Sequence, residues 1–353
     1  MSQKEKELFL QICAHRNPDT GRIEGLLDEG YATPQVLGWL FANRMAAVAY
    51  GVLKERELLS KLDREFRNSL RNALLLNERI HADYFRCIEE LTEVLEGCGI
   101  PYALLKGAYL CPSLPSGYRI SNDVDILVAP EAVGAVSAWL RSAGFRQGSM
   151  RNGVFVPATR RQIIESKMTR GETVPFFKAV GLPFLEYLEV DLNFSLDFKN
   201  SEDGILKGML SRGALRSAGE LRVRTLDRYD FLLHLCAHLY KEATTLPWIR
   251  MRRDMTFYKY WDIYGLLWEY SEAEKRELLA RASEICMNRE LFYCLDSLDA
   301  FFGTENLPKG VDRKDFGVVI APAERKRYRY VESDPVKRFF STDRVSLLEE
   351  VTE

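Results

Sequence analysis

Histidine is scarce in this chain, with residues at 15, 81, 234 and 238 only, and its seven cysteines contain no Cys-x-x-Cys pair. Scattered cysteines, odd in number, supply neither a disulfide framework nor a thiolate zinc site, and they suit a reducing, cytoplasmic setting. His234 and His238 share a helix face at i,i+4, yet they lack the Glu of the zinc-protease motif and sit in the apolar run FLLHLCAHLY, so packing is their expected role. Net charge is also nearly absent: Lys plus Arg (49) balances Asp plus Glu (51), which excludes a globally basic nucleic-acid binder. No segment reaches the roughly 18–20 uncharged apolar residues that span a bilayer. The opening Met1-Ser-Gln-Lys-Glu-Lys-Glu has neither the basic nor the apolar part of a secretory signal. What is present, 46% hydrophobic and 28% charged residues over a length of 353, is the composition of a globular protein.

Hydropathy patterning divides the chain. Residues 1–60 read as short helices broken at Asn17-Pro18, Gly30 and Thr33-Pro34. A stripe then runs Leu62, Phe66, Leu70, Leu74, Asn77, Ile80, Tyr84, Ile88, Leu91, Leu95, all apolar but Asn77, and closes at Gly97-Cys98-Gly99. Steps of three and four make this one face of a long helix. Residues 100–106 read as a short buried strand, Gly107-Ala108 as its turn into a helix, and Pro112, Pro115 and Gly117 as a loop. Asp123–Val128 alternates as a strand, and Pro130 opens a helix that ends at Gly144. The stretch 145–182 carries no assignable period. A second strand spans about 184–195, with Glu189, Asp191 and Asn193 on its polar face. Helical periodicity returns from Asp227, and from Pro308 the tail reads as irregular, with a basic knot of Arg325, Lys326, Arg327 and Arg329 that fits a solvated tail better than an RNA contact. The expected fold class is α+β: a small mixed-sheet core over 61–215, including its long leading helix, between an N-terminal helical region (1–60) and a C-terminal helical domain (216–307), with a tail at 308–353.

The chemistry concentrates in LLKGAYLCPSLPSGYRISNDVDILV, residues 104–128. Asp123 and Asp125 stand two apart on a strand, so both carboxylates leave the same face. Held that close they repel unless a cation lies between them, and a hard, oxygen-seeking ion such as Mg²⁺ (or Mn²⁺) suits them. Lys106-Gly107-Ala108 opens a helix, where backbone N–H groups favour a phosphate and glycine admits close approach. Arg119, four residues before the first aspartate, is placed to reach a phosphate or brace a carboxylate. Asp191 offers a third carboxylate. Singly these features are common; in this order they are the parts of two-metal phosphoryl chemistry.

The same stretch resembles the nucleotidyltransferase superfamily typified by polymerase beta. Leu105-Lys106-Gly107-Ala108 and Asp123-Val124-Asp125-Ile126 take the two halves of its signature. The Lys before the Gly, and the Arg before the aspartate pair, are most similar to an uncharacterised bacterial nucleotidyltransferase family within it. Val190-Asp191-Leu192, His234 and Asp262 also fit that pattern, and the resemblance covers about residues 70–270. Ala108 departs from the usual Gly or Ser, and the fourteen-residue gap from Ala108 to Asp123 is slightly long.

The resemblance implies an enzyme that moves a nucleoside monophosphate from an NTP to an acceptor hydroxyl. Asp123, Asp125 and Asp191 would serve as metal-binding catalytic residues. Lys106, Gly107, Ala108 and Arg119 would bind the nucleotide, while Arg252 and Arg253 join His234 and Asp262 as lesser candidates. A small-molecule acceptor is favoured over nucleic acid, and no membrane partner is expected. Two alternatives stay open: a toxin-like nucleotidyltransferase acting on tRNA, suggested by the Arg-Ile-Ser-Asn-Asp-Val-Asp string, and a non-catalytic nucleotide-binding or scaffold protein.

Overall fold

Ser2 and Glu5 begin the chain with a capping box: the Glu5 N–H donates to Ser2 Oγ, and the Ser2 N–H to Glu5 Oε2. The computed structural model describes residues 1–169, 171–196, 203–312 and 334–344. In chain order, α1 (Gln3–Cys13), α2 (Thr20–Asp28), α3 (Thr33–Ala42) and α4 (Ala46–Glu55) lead to the long α5 (Arg64–Glu96). Next come β1 (Tyr102–Leu104), α6 (Gly107–Ser113), β2 (Asp123–Val128) and α7 (Val133–Ser142). The unassigned stretch 145–182 becomes β3 (Arg146–Arg151), β4 (Val154–Pro157), α8 (Arg160–Thr169) and β5 (Phe176–Leu182). Then follow β6 (Leu185–Asn193), α9 (Asp203–Arg212), the hairpin β7 (Ala214–Ala218) and β8 (Leu221–Thr225), and α10 (Arg228–Thr244). Four helices continue it, α11 (Leu246–Arg250), α12 (Phe257–Trp268), α13 (Glu272–Glu284) and α14 (Asn288–Phe302), before a short helix Pro335–Phe340. The fold is α+β.

Two units divide the chain. One comprises residues 75–231, and the other residues 1–74 with the chain from 232 on. In the first, a mixed sheet runs in the order β1-β2-β6-β5-β3-β4, and β2 and β6 are its parallel pair. One face is apolar. Val124, Ile126, Val190 and Leu192 lie fully buried in a cluster with Tyr84, Ile88, Leu91 and Leu95 of α5 and Val136 and Leu140 of α7. Each such side chain contributes about 1.5–3 kcal/mol. Because β residues alternate, burying the even-numbered residues of β2 commits Asp123 and Asp125 to the opposite face.

The other unit is helical. Phe9, Trp39, Phe257, Phe301, Phe339 and Phe340 form an aromatic core, with Phe9 and Phe257 ring centroids 5.1 Å apart in an edge-on contact. Asp254 is fully buried there and meets Arg338 Nη2 at 3.0 Å and Arg344 Nη1 at 2.7 Å. The tail beyond Pro308 is thus not wholly irregular: Pro335–Phe340 is helical, capped by Asp334, and carries these core groups. The basic knot at 325–329 lies outside the described residues. No single helix among the described residues is long and apolar enough to cross a membrane.

Candidate active site

Parallel pairing of β2 with β6 sets Asp123 beside Glu189 and Asp125 beside Asp191. Paired residues on adjacent strands share a face, with strands about 4.8 Å apart. Local alternation brought two carboxylates together; the register adds two more from some sixty residues along the chain. Ser121 Oγ donates to Asp123 Oδ1 at 2.7 Å, and the Asn193 amide donates to Asp125 Oδ1 at 3.2 Å. From α5, the buried Tyr84 hydroxyl donates to the Asp123 carbonyl at 2.7 Å and pins the start of β2.

Lys106 enters this row from the neighbouring strand end. Its ammonium lies 2.8 Å from Asp125 Oδ1. The strand stops at Leu104, short of the expected residue 106, because Lys106 turns into the left-handed region at φ 46°. A non-glycine residue there costs of order 1–3 kcal/mol, strain that concentrates at functional sites. Gly107 is required by crowding: a Cβ on it would fall 2.6 Å from Ser121 Cβ. The Ala108 N–H is already taken by Leu105 O at 3.1 Å, whereas among the described residues no backbone carbonyl accepts from Gly107. Of the two N–H groups expected to meet a phosphate, Gly107 is therefore the one left available.

Electrostatics reflect the crowding. Burial first, then the charges of Asp125, Glu189 and Asp123, push the Asp191 carboxyl well above the ordinary carboxylate range. Burial and the same two aspartates lift Glu189 to about 7. Burial opposes the Lys106 ammonium, but Asp125, Asp123 and Asp191 outweigh it and its pKa rises. The row thus carries more negative charge than Lys106 neutralises. Among the described residues no three His, Cys, Asp or Glu side chains converge as a ready-made metal cage. The donor chemistry still fits a hard divalent cation, since every candidate ligand is a carboxylate oxygen and an added positive charge relieves the repulsion that raises Asp191 and Glu189.

Arg119 and four residues of the helical unit complete the expected positions. Arg119 is buried at 6% exposure and donates to the Ile120 carbonyl. Its charge acts on Tyr84, where it opposes the burial that raises that phenol. His234, Asp262, Arg252 and Arg253 belong to the helical unit. There Arg252 donates to the Thr342 carbonyl, and His238 Nε2 lies 3.3 Å from Glu242 Oε1. Tyr84 was legible in the sequence only as part of an apolar stripe. Ser121 and Asn193 gave the weak signal of standing two residues from an aspartate on the same strand parity.

A family model described as an uncharacterised nucleotidyltransferase matches residues 32–303. No curated protein matches the chain.

Proposed function

The chain belongs to this uncharacterised nucleotidyltransferase family, and from that premise we propose that it transfers a nucleoside monophosphate from an NTP to an acceptor hydroxyl at the carboxylate row of β2 and β6. The observation that carries this reading is the register of Asp125 against Asp191, with Lys106 2.8 Å from Asp125. Asp123, Asp125 and Asp191 would hold Mg²⁺ or Mn²⁺, which when bound supplies Lewis-acid stabilisation of charge on the phosphates. Lys106 exchanges its contact with Asp125 for the β- and γ-phosphates, so one ammonium balances the carboxylate before binding and the nucleotide after it. Gly107, without a side chain and with its N–H at the helix start, admits a phosphate oxygen to the backbone. Ala108, its N–H donated to the Leu105 carbonyl, would fix the helix start beside that phosphate. Arg119, in the loop before β2, would support the phosphates or brace a carboxylate. Asn193 and Ser121 orient Asp125 and Asp123 through the hydrogen bonds they donate.

Pyrophosphate release with each of the four NTPs, Mg²⁺ or Mn²⁺ and cell extract as acceptor tests this reading, with the Asp123→Ala/Asp125→Ala double variant as blank. Release specific to one nucleotide and absent from the blank is the expected result. No release, together with no metal-dependent NTP binding, would leave a non-catalytic protein built on this fold.

A further inference from the structure

The stretch without sequence period builds a cavity. β3, β4, α8 and β5 line a half-open space of about 760 Å³ that reaches the carboxylate row at Glu189. Its wall is mixed: Ser149, Arg151 and Gln162 offer hydrogen-bonding groups, Met150 and Phe177 apolar surface. Phe177 faces Glu189 across the β5–β6 ladder, so the cavity wall and the carboxylates occupy one continuous sheet face. The volume falls in the range of roughly 300–1,000 Å³ that holds small organic ligands.

Strand order gives this cavity a direction. Across the sheet, Lys106 follows β1, the aspartates stand on β2 and β6, and the cavity begins at β5 and β3. In-line displacement at phosphorus places the attacking oxygen opposite the leaving group. With pyrophosphate leaving on the Lys106 side, the acceptor must approach from the cavity side. Resting on the function proposed above, we propose that this cavity is the acceptor site, and that the acceptor is a small hydroxylated molecule with an apolar face rather than a polynucleotide. Its hydroxyl oxygen forms the new bond to the α-phosphorus, the bond to the bridging oxygen of pyrophosphate breaks, and the hydroxyl proton passes to the carboxylate row.

Filling the cavity separates this proposal from the reaction itself. Met150→Trp and, independently, Ala158→Trp place a large ring at half-buried lining positions, while Val154→Trp adds the same bulk at an exposed position of β4 outside the lining. The probes are radiolabelled NTP with two fractions of a cell extract, the low-molecular-mass filtrate and the macromolecular retentate. The wild type and Val154→Trp should label a product in the filtrate. Both cavity variants should lose at least about 100-fold of that transfer while retaining metal-dependent NTP binding. Full transfer by both cavity variants would overturn the acceptor site and leave the nucleotidyltransferase reading intact. Labelling of the retentate alone would overturn the small-molecule class. Absence of both transfer and NTP binding in the wild type would remove the underlying reading, and the acceptor site with it.

Discussion

Asp254 in the helical unit and the aspartate row of the sheet unit are answers to the same electrostatic problem, and the answers are opposite. Asp254 has no exposure and two guanidinium partners, one on each oxygen. Asp123, Asp125, Asp191 and Glu189 crowd one sheet face with the ammonium of Lys106 on a single oxygen of Asp125. A carboxylate whose charge is cancelled by its own chain is holding structure together. A set whose charge is left over, at some cost in stability, is available to a cation that the chain does not supply.

Substitutions should reveal this difference. The largest effect is expected from Asp125→Ala: nucleotidyl transfer should fall by about 1,000-fold or more, since several kcal/mol of charge stabilisation is lost. Its urea midpoint should change little, because a repelling charge leaves with the salt bridge. Asp254→Ala should do the reverse. Leaving Arg338 and Arg344 buried without their partner should cost about 3–5 kcal/mol in denaturant unfolding. Equal losses of stability in the two variants would abolish the contrast. Gly107→Ala comes next, at about 1–3 kcal/mol, because its Cβ would lie 2.6 Å from Ser121 Cβ. Adding Ser121→Gly should recover part of that loss, as measured by the same unfolding midpoint.

A further effect concerns pH. Glu189 is raised from 4.5 to about 7 in the folded protein, so between those values the folded chain holds a proton that the unfolded chain has released. Stability should therefore fall as pH rises from about 4.5 through about 7, in metal-free buffer. Asp191 is shifted in the same direction. Glu189→Gln should flatten the profile, and a midpoint that instead rises over this interval in the wild type would contradict the uncompensated row. Saturating Mg²⁺ should also reduce the slope, because bound cation favours the ionised carboxylates.

The sequence by itself determined the pieces that depend on local periodicity. The three-and-four stripe through Tyr84, Ile88, Leu91 and Leu95 predicts α5, and alternation through Asp123-Val-Asp-Ile puts both carboxylates on one face, because side-chain direction is set within a few residues. The capping boxes that the structure shows at Ser2 and Ser271 rest on equally local contacts. Segment 145–182 showed no such period. Its strands β3 and β5 are as long as β2, but β3 does not bury alternate residues, and glycine is needed at 148 because a Cβ there would lie 2.3 Å from the Val156 carbonyl oxygen, a contact set in three dimensions. The β7–β8 hairpin was likewise unread beside the stronger helical signal that follows Asp227. Tertiary structure alone decided that β6 lies beside β2, in parallel and in the register that sets Asp191 by Asp125. It alone turned Tyr84 from a core residue into the group that holds the Asp123 carbonyl. Strand partners and registers are chosen by burial of whole faces across long stretches of chain, and no local pattern encodes that choice.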